Sequence, residues 1–117
     1  MSGTVTADEL AALMQKGAVD IVDVREDGEW NSGHIRGARH ITLGTIKGDA
    51  AAQGFKDGVL FVCAKGMRSV TAAKAAEVAG VKGVLSLEGG TGAWTKAGYE
   101  LVVDAPAADS GNASAAP

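Results

Sequence analysis

The stretch from residue 58 to residue 69 constrains the fold most strongly. It begins with an apolar run, Val59 to Val62, which is typical of a buried strand, and the run stops at Cys63, the only cysteine of the chain. A turn containing Gly66 follows, and residues 69–79 are rich in alanine, which favours a helix. A buried strand joined by a short turn to a helix is the repeating unit of α/β proteins.

The same alternation of strand and helix patterns runs through the rest of the chain. Thr6 and Glu9 predict a capping box at the start of a helix that Gly17 ends in a left-handed conformation. Further predicted elements are a strand over 20–24, a short helix ending at Gly33, a short strand over 39–42, a loop or weak helix over 43–55, a strand over 84–87 and a short helix over 91–97. The alternation predicts an α/β fold whose parallel sheet is covered on both faces.

Composition and charge exclude several classes of function. A net charge of −3 without a basic run argues against nucleic-acid binding. There is no apolar stretch long enough to span a membrane, and the N-terminus shows no secretory signal. A single cysteine excludes an internal disulfide and a cysteine-rich zinc site, so we expect a reducing, cytoplasmic setting.

The last fourteen residues differ in composition from the rest. Six of the residues 104–117 are alanine, and both prolines of the chain lie there. We therefore predict one domain over residues 1–103 and a disordered, alanine-rich tail over residues 104–117.

The position of Cys63 predicts a reactive thiol. In parallel sheets ligands bind beyond the carboxyl ends of the strands, and Cys63 lies at such an end. Unpaired N–H groups and the positive dipole end of the following helix stabilise a thiolate, which is the nucleophilic form of cysteine. The alternative is that Cys63 only fills the core, as many free cysteines do.

The spacing from Cys63 to Arg68 favours a sulfur atom over a phosphate as the bound group. Arg68 follows Cys63 by five positions, whereas cysteine-dependent phosphatases place their arginine six positions after the cysteine. The backbone N–H groups of the loop between these two residues would surround the bound group. Since the loop is shorter by one residue than in the phosphatases, it suits one extra sulfur atom on Cys63.

Three blocks of the sequence form a pattern that extends beyond the cysteine loop. They are Asp23-Val24-Arg25-Glu26 with Glu29-Trp30, Gly33-His34-Ile35 and Gly37-Ala38; then Cys63-Ala64-Lys65-Gly66-Met67-Arg68-Ser69; then Leu87-Glu88-Gly89-Gly90 with Trp94 and Gly98-Tyr99. In this order and spacing the blocks resemble the rhodanese-like sulfurtransferases, and the resemblance covers about residues 4–103.

The resemblance implies a three-layer α/β domain with a five-stranded, mainly parallel sheet flanked by helices. It implies that the Cys63 thiolate is catalytic and takes a sulfane sulfur from a donor such as thiosulfate, forming a persulfide. Cyanide or a small thiol then accepts the sulfur, without a metal ion or organic cofactor. The substrate-binding residues implied are those of the loop after the cysteine, Ala64, Lys65, Gly66, Met67 and Arg68.

One departure from the family leaves the natural donor open. Many thiosulfate-using members have a basic residue directly after the cysteine, where this chain has Ala64 followed by Lys65. A sulfur-carrier or relay module loaded by a partner protein is therefore the main alternative. A phosphatase or arsenate reductase on the same fold and a non-catalytic interaction domain are further alternatives.

Several polar and aromatic residues have two interpretations each. Lys65 either guides an anionic donor or is a solvated charge, and Arg68 either binds the donor or holds the loop by pairing with an acid. Met67 either lines an apolar rim for the acceptor or faces solvent. The remaining residues are predicted to be structural: ion pairs for Asp23, Arg25 and Glu29, a hydrogen bond for His34, and core positions for Trp30 and Trp94.

Overall fold

Strands and helices alternate along the chain in the computed structural model, which describes residues 3–17 and 19–103. The strands are β1 (Gly3–Val5), β2 (Ile21–Asp23), β3 (Arg39–His40), β4 (Leu60–Val62) and β5 (Leu85–Leu87). The helices are α1 (Ala7–Lys16), α2 (Asp27–Ser32), α3 (Leu43–Gly48), α4 (Met67–Val78) and α5 (Gly90–Lys96), with a 3-10 helix at Ala51–Gln53.

The five strands form one parallel sheet in the order β1-β5-β4-β2-β3. Strand β4 is therefore the middle strand, as its apolar sequence predicts. Phe61 of β4 is in register with Val22 of β2 on one side and with Ser86 of β5 on the other. Because all the strands are parallel, their carboxyl ends share one edge of the sheet, and Cys63 emerges at the centre of that edge.

Side chains that alternate along β4 divide the core into two layers. Phe61 and Cys63 belong to one apolar cluster with residues of α4, whereas Leu60 and Val62 belong to another with Leu10 of α1 and Trp94 of α5. This is the three-layer α/β arrangement that the sequence predicts. Helix α4 faces the sheet through small buried residues, Ala72, Ala73 and Ala76, which allow a close approach of helix and sheet.

The local predictions hold best where a short-range signal determines the structure. Thr6 and Glu9 form the predicted capping box, with bonds of 2.8 and 3.1 Å. Gly17 ends α1 with φ 159° and ψ −163°, so the left-handed helical conformation expected there was wrong. Between residues 43 and 55 the structure has α3 and the 3-10 helix, and β3 is limited to Arg39–His40.

The boundaries of the domain and tail are outside what the structure tests, because residues 104–117 lie outside the described residues. Within residues 3–17 and 19–103, no helix has the length and hydrophobicity needed to cross a membrane.

Candidate active site

The Cys63 thiol lies at the bottom of the loop that connects β4 to α4. Only 1% of the residue is exposed, and the Gly66 N–H donates a hydrogen bond of 3.0 Å to Sγ. Gly66 has φ 98°, a left-handed conformation that glycine adopts without strain. This turn allows α4 to begin at Met67, two residues before the predicted start, and so brings its N-terminal backbone next to the sulfur.

Two opposing effects determine the acidity of the thiol. Burial raises the pKa of Cys63, but the hydrogen bond with the Ser69 side chain and those from the backbone N–H groups of Ser69, Gly66 and Lys65 lower it. The hydrogen bonds outweigh burial, and the pKa of the Cys63 thiol lies below its ordinary value. Because the thiolate is the reactive form, this environment increases the fraction of Cys63 that is nucleophilic at neutral pH.

The first turn of α5 holds the outer side of the loop. The Thr91 N–H donates to the Cys63 carbonyl at 2.8 Å, and the Gly92 N–H donates to the Ala64 carbonyl at 3.0 Å. A Cβ atom on Gly90 would lie 2.1 Å from the Cys63 carbonyl oxygen, so only glycine permits this approach. These two bonds fix the first residues of the loop against α5, and the Gly66 N–H of the same loop binds the sulfur.

The partner of Arg68 is Glu29, on α2. The two side chains form a bidentate ion pair with bonds of 2.7 and 2.9 Å. The hydrogen bond from Arg68, stronger than the opposing effect of burial, lowers the pKa of Glu29 to about 2. Of the two interpretations of Arg68, the structure favours a guanidinium that holds the loop in place.

The other predicted loop residues have different environments. Lys65 is exposed, and Met67 is 79% exposed, so Met67 faces solvent at the edge of the loop. Ala64 contributes a structural contact through its carbonyl group. The loop therefore presents one cation without a described acidic partner, Lys65, and one exposed apolar side chain, Met67, near the thiol.

The residues predicted to be structural form ion pairs and hydrogen bonds next to α2. Asp23 and Arg25 make a buried ion pair at 2.8 Å, and Arg25 also donates to the Gly33 carbonyl at 2.7 Å. The Nδ1–H of His34 donates a hydrogen bond of 3.0 Å to the Trp30 carbonyl. These observations confirm the predicted ion pairs and the hydrogen-bonded His34.

The two tryptophans differ in their surroundings. Trp94 is buried in the core, as predicted. Trp30 is only partly buried, and its ring stacks on His34 at 3.5 Å and on His40 at 4.9 Å between centroids. The core position expected for Trp30 was wrong, because its ring lies among imidazole rings and outside both apolar clusters.

The arrangement of potential metal ligands is known for the described residues. Among residues 3–17 and 19–103, no three or more His, Cys, Asp or Glu residues are grouped so that they could hold a metal ion. The candidate site consists of one thiol, backbone amides, a buried hydroxyl and the ion pair of Arg68 with Glu29, with the exposed Lys65 and Met67 at the edge of the loop.

Comparison with known proteins agrees with this fold and loop. The family model described as the rhodanese-like domain matches residues 6–97. The chain belongs to the rhodanese-like family. Membership of this family supports a function related to sulfur transfer.

Two curated proteins are similar in sequence to this chain over part of their length. An uncharacterized protein of Synechocystis is 34% identical over 99 residues, which cover 85% of this chain and 55% of the relative. The candidate sulfur carrier protein YrkF of Bacillus subtilis is 35% identical over 78 residues, which cover 67% of this chain and 42% of YrkF. The chain thus spans about half the length of these curated relatives.

Two solved structures share the rhodanese-like fold across nearly their whole length. A rhodanese-like domain protein from Staphylococcus aureus has a TM-score of 0.73 and 34% identity, covering 88% of this chain and 99% of that one. A protein from Rhodopseudomonas palustris, described as a possible tyrosine phosphatase of unknown function, has a TM-score of 0.75 and 36% identity. That match covers 86% of this chain and 84% of the other.

The contact between Gly90 and the loop makes a testable prediction. Gly90→Ala places a Cβ atom against the Cys63 carbonyl and also forces alanine into a left-handed conformation with φ 61°. We expect the free energy of unfolding to fall by several kcal/mol, of which the left-handed backbone accounts for about 1–2 kcal/mol. We also expect the pKa of Cys63 to return towards its ordinary value, measured by the pH dependence of iodoacetamide alkylation.

The matched control for this prediction is Gly54→Ala. Gly54 has nearly the same φ, 65°, but a Cβ atom there meets nothing within 4 Å. Gly54→Ala should therefore cost only the backbone strain and leave the titration of the thiol unchanged. Equal effects of the two substitutions on both measurements would show that the contact between α5 and the loop does not shape the site.

The ion pair between Glu29 and Arg68 predicts a pH dependence of stability. The folded-state pKa of Glu29 is depressed to about 2 from 4.5, so the stabilisation is fully present above pH 4.5 and is lost as the pH falls through 2. The side chains are 34% and 36% exposed, and solvent screening therefore limits the contribution to about 1 kcal/mol. Urea denaturation should show Glu29→Gln less stable than the wild type at pH 7, with the difference vanishing near pH 2.

Glu100→Gln, at an exposed glutamate outside the loop and its partners, is the control for loss of one carboxylate. Its stability should track the wild type at every pH. A constant difference between Glu29→Gln and the wild type from pH 7 to pH 2 would contradict an electrostatic role of this pair.

Proposed function

We propose that this rhodanese-like chain is a sulfurtransferase that carries sulfur as a persulfide on Cys63. The observation that carries the proposal is the position of Sγ, 3.0 Å from the Gly66 N–H at the start of α4. Hydrogen bonds from backbone amides favour the thiolate, and they remain available to a negatively charged persulfide after sulfur has been taken up.

The first half of the proposed reaction loads the cysteine. The Cys63 thiolate attacks the outer sulfur of thiosulfate, an S–S bond to Sγ forms, and the S–S bond of thiosulfate breaks. Sulfite leaves with the electron pair of that bond. Only a slender group reaches Sγ without displacing the loop, since 1% of Cys63 is exposed, and a terminal sulfane sulfur meets this requirement.

The second half of the proposed reaction unloads the persulfide. We propose that the backbone N–H groups of residues 64–68 hold the outer sulfur atom of the persulfide. Cyanide attacks that sulfur, thiocyanate leaves, and the Cys63 thiolate is regenerated; a thiol acceptor becomes a persulfide in the same way. Because Cys63 is the only cysteine of the chain, no second thiol in this sequence takes part.

Charge at the edge of the loop supports an anionic donor. Glu29 neutralises Arg68, whereas Lys65 is exposed on the loop. We therefore assign to Lys65 the attraction of the donor and to Arg68 the positioning of the loop. Ala64, which has a short apolar side chain, adds no charge.

A relay function is the second candidate, and the name of the Bacillus subtilis relative, a candidate sulfur carrier, favours it. In this case a partner protein that bears a persulfide would transfer its sulfur to Cys63, and the exposed Met67 would supply apolar contact area. The chemistry at Cys63 is the same as with thiosulfate, and only the donor differs.

The description of the Rhodopseudomonas palustris protein raises phosphatase activity as a further possibility. Two features of this chain oppose it. Arg68 follows Cys63 by five positions, and its guanidinium is paired in bidentate fashion with Glu29, which leaves fewer donors for a phosphate. We therefore expect negligible hydrolysis of an aryl phosphate.

Intact mass spectrometry of the loaded protein tests the proposal and identifies the donor. A gain of about 32 Da, one sulfur atom, is expected on the wild type after incubation with thiosulfate, and none on Cys63→Ser. Addition of cyanide should remove the added mass and release thiocyanate. A second arm replaces thiosulfate with a cysteine desulfurase and cysteine, which tests loading by a protein donor.

Substitution of Lys65 tests whether its charge attracts thiosulfate to the loop. Lys65→Gln should slow loading by thiosulfate by about 3- to 10-fold, since a single charge near the loop contributes about 1 kcal/mol. Lys96→Gln, at the far end of α5, is the charge-matched control and should load normally. Loading only by the desulfurase would establish the relay function, and no loading by either donor would refute sulfur transfer through Cys63.

A further inference from the structure

A buried hydroxyl on β5 extends the site beyond the loop. Ser86 is 2% exposed and lies between Leu85 and Leu87 in β5. Burial of a hydroxyl is costly unless it forms a hydrogen bond. The Ser86 Oγ lies 2.8 Å from the Oγ of Ser69, which is itself fully buried.

Ser69 connects this hydroxyl to the thiol. Its Oγ lies 3.6 Å from Cys63 Sγ. Cys63 follows β4, Ser69 lies in the first turn of α4, and Ser86 lies on β5, in register with Phe61. Two consecutive elements, β4 and α4, together with β5 thus place a thiol and two hydroxyls in a row between the sheet and α4.

The protonation state of Cys63 determines which group donates in each hydrogen bond of this row. A thiolate only accepts hydrogen bonds, and each hydroxyl has a single proton to donate. When Cys63 is ionised, the Ser69 proton points to Sγ, and Ser69 can then only accept from Ser86. When Cys63 is protonated, its S–H can donate to Ser69, and the Ser69 proton is free to turn towards Ser86.

We propose that Ser86 is a positioning residue of the sulfurtransferase site: by donating to Ser69 Oγ, it directs the Ser69 proton to Cys63 Sγ. Within the described part of the chain, the Ser86 hydroxyl bonds to Ser69 alone. Hydrogen bonds in a chain strengthen one another in a dry environment, so the second hydroxyl also strengthens the bond that reaches the sulfur. The proposal rests on Cys63 being the nucleophile of the proposed function.

The charged groups around the thiol come from other directions. Arg68 on α4 interacts electrostatically with Cys63 and is paired with Glu29 of α2. Lys65 is exposed on the loop, and the buried charges of Asp23 and Arg25, beside the carboxyl end of β2, pair with each other. The first turn of α5, residues 90–92, has no ionisable side chain. A substitution of Ser86 changes none of these charges.

The titration of Cys63 in serine variants tests the proposal. The pKa of the thiol is measured from the ultraviolet absorbance of the thiolate, without any sulfur donor. Ser69→Ala should raise the pKa by about 1–2 units, the effect of one hydrogen bond to a charged group. Ser86→Ala should raise it by roughly 0.2–0.6 unit, the cooperative fraction of that bond.

A double-mutant cycle shows whether Ser86 acts through Ser69. When Ser69 is already alanine, Ser86→Ala should shift the pKa of Cys63 by no more than about 0.1 unit. No shift in the single variant Ser86→Ala, or an equal shift with and without Ser69, would overturn the proposal.

A matched pair at position 86 controls for packing. Ser86→Thr and Ser86→Val add branched side chains of nearly the same shape, but only threonine retains the hydroxyl. The thiol pKa should stay near the wild-type value with threonine and rise with valine, and equal pKa values in the two variants would also overturn the proposal.

The outcomes separate this proposal from the proposed function. If the pKa of Cys63 changes on substitution of Ser86 but the protein takes up no sulfur, only the proposed sulfur transfer is refuted. If sulfur loading is normal but the pKa of Cys63 is unchanged when Ser86 is substituted, only the role of Ser86 is refuted.

Discussion

The bonds between the first turn of α5 and the carbonyls of the Cys63 loop are the contact on which the rest of the site depends. The N–H groups of Thr91 and Gly92 donate to two carbonyl groups on the outside of the loop and hold it against α5, while the Gly66 N–H of the same loop binds the sulfur. Gly90 makes this approach sterically feasible. The parallel sheet is what brings the contact about, since adjacent β4 and β5 end at the same edge.

The acidity of the thiol results from a competition that this geometry decides. Burial of Cys63 opposes ionisation, and three backbone amides with one hydroxyl favour it. The fixed loop matters because amides that are already oriented need no reorganisation when charge develops on sulfur. Arg68 contributes by anchoring the start of α4 to Glu29, and the loop is thus held from α2 as well as from α5.

Sequence patterns predict the parts of this structure that depend on neighbours along the chain. The capping box joins Thr6 and Glu9, which are three positions apart, and the apolar run of β4 before Cys63 is visible in the sequence itself. The pairing of Arg68 with Glu29 and of Ser69 with Ser86 joins residues 39 and 17 positions apart. A pattern shows that an acid or a glycine is present, but only the packed sheet shows what it touches, as with Gly90.

The pH titration of the Gly66 amide by NMR tests the central claim most directly, namely that backbone amides hold the Cys63 sulfur as an anion. The account predicts that the Gly66 amide resonance shifts with a midpoint below the ordinary thiol pKa of about 8.5 and that Cys63→Ser abolishes the shift. The account would be contradicted if the Gly66 amide did not respond while Cys63 ionised, or if the midpoint lay at or above the ordinary value.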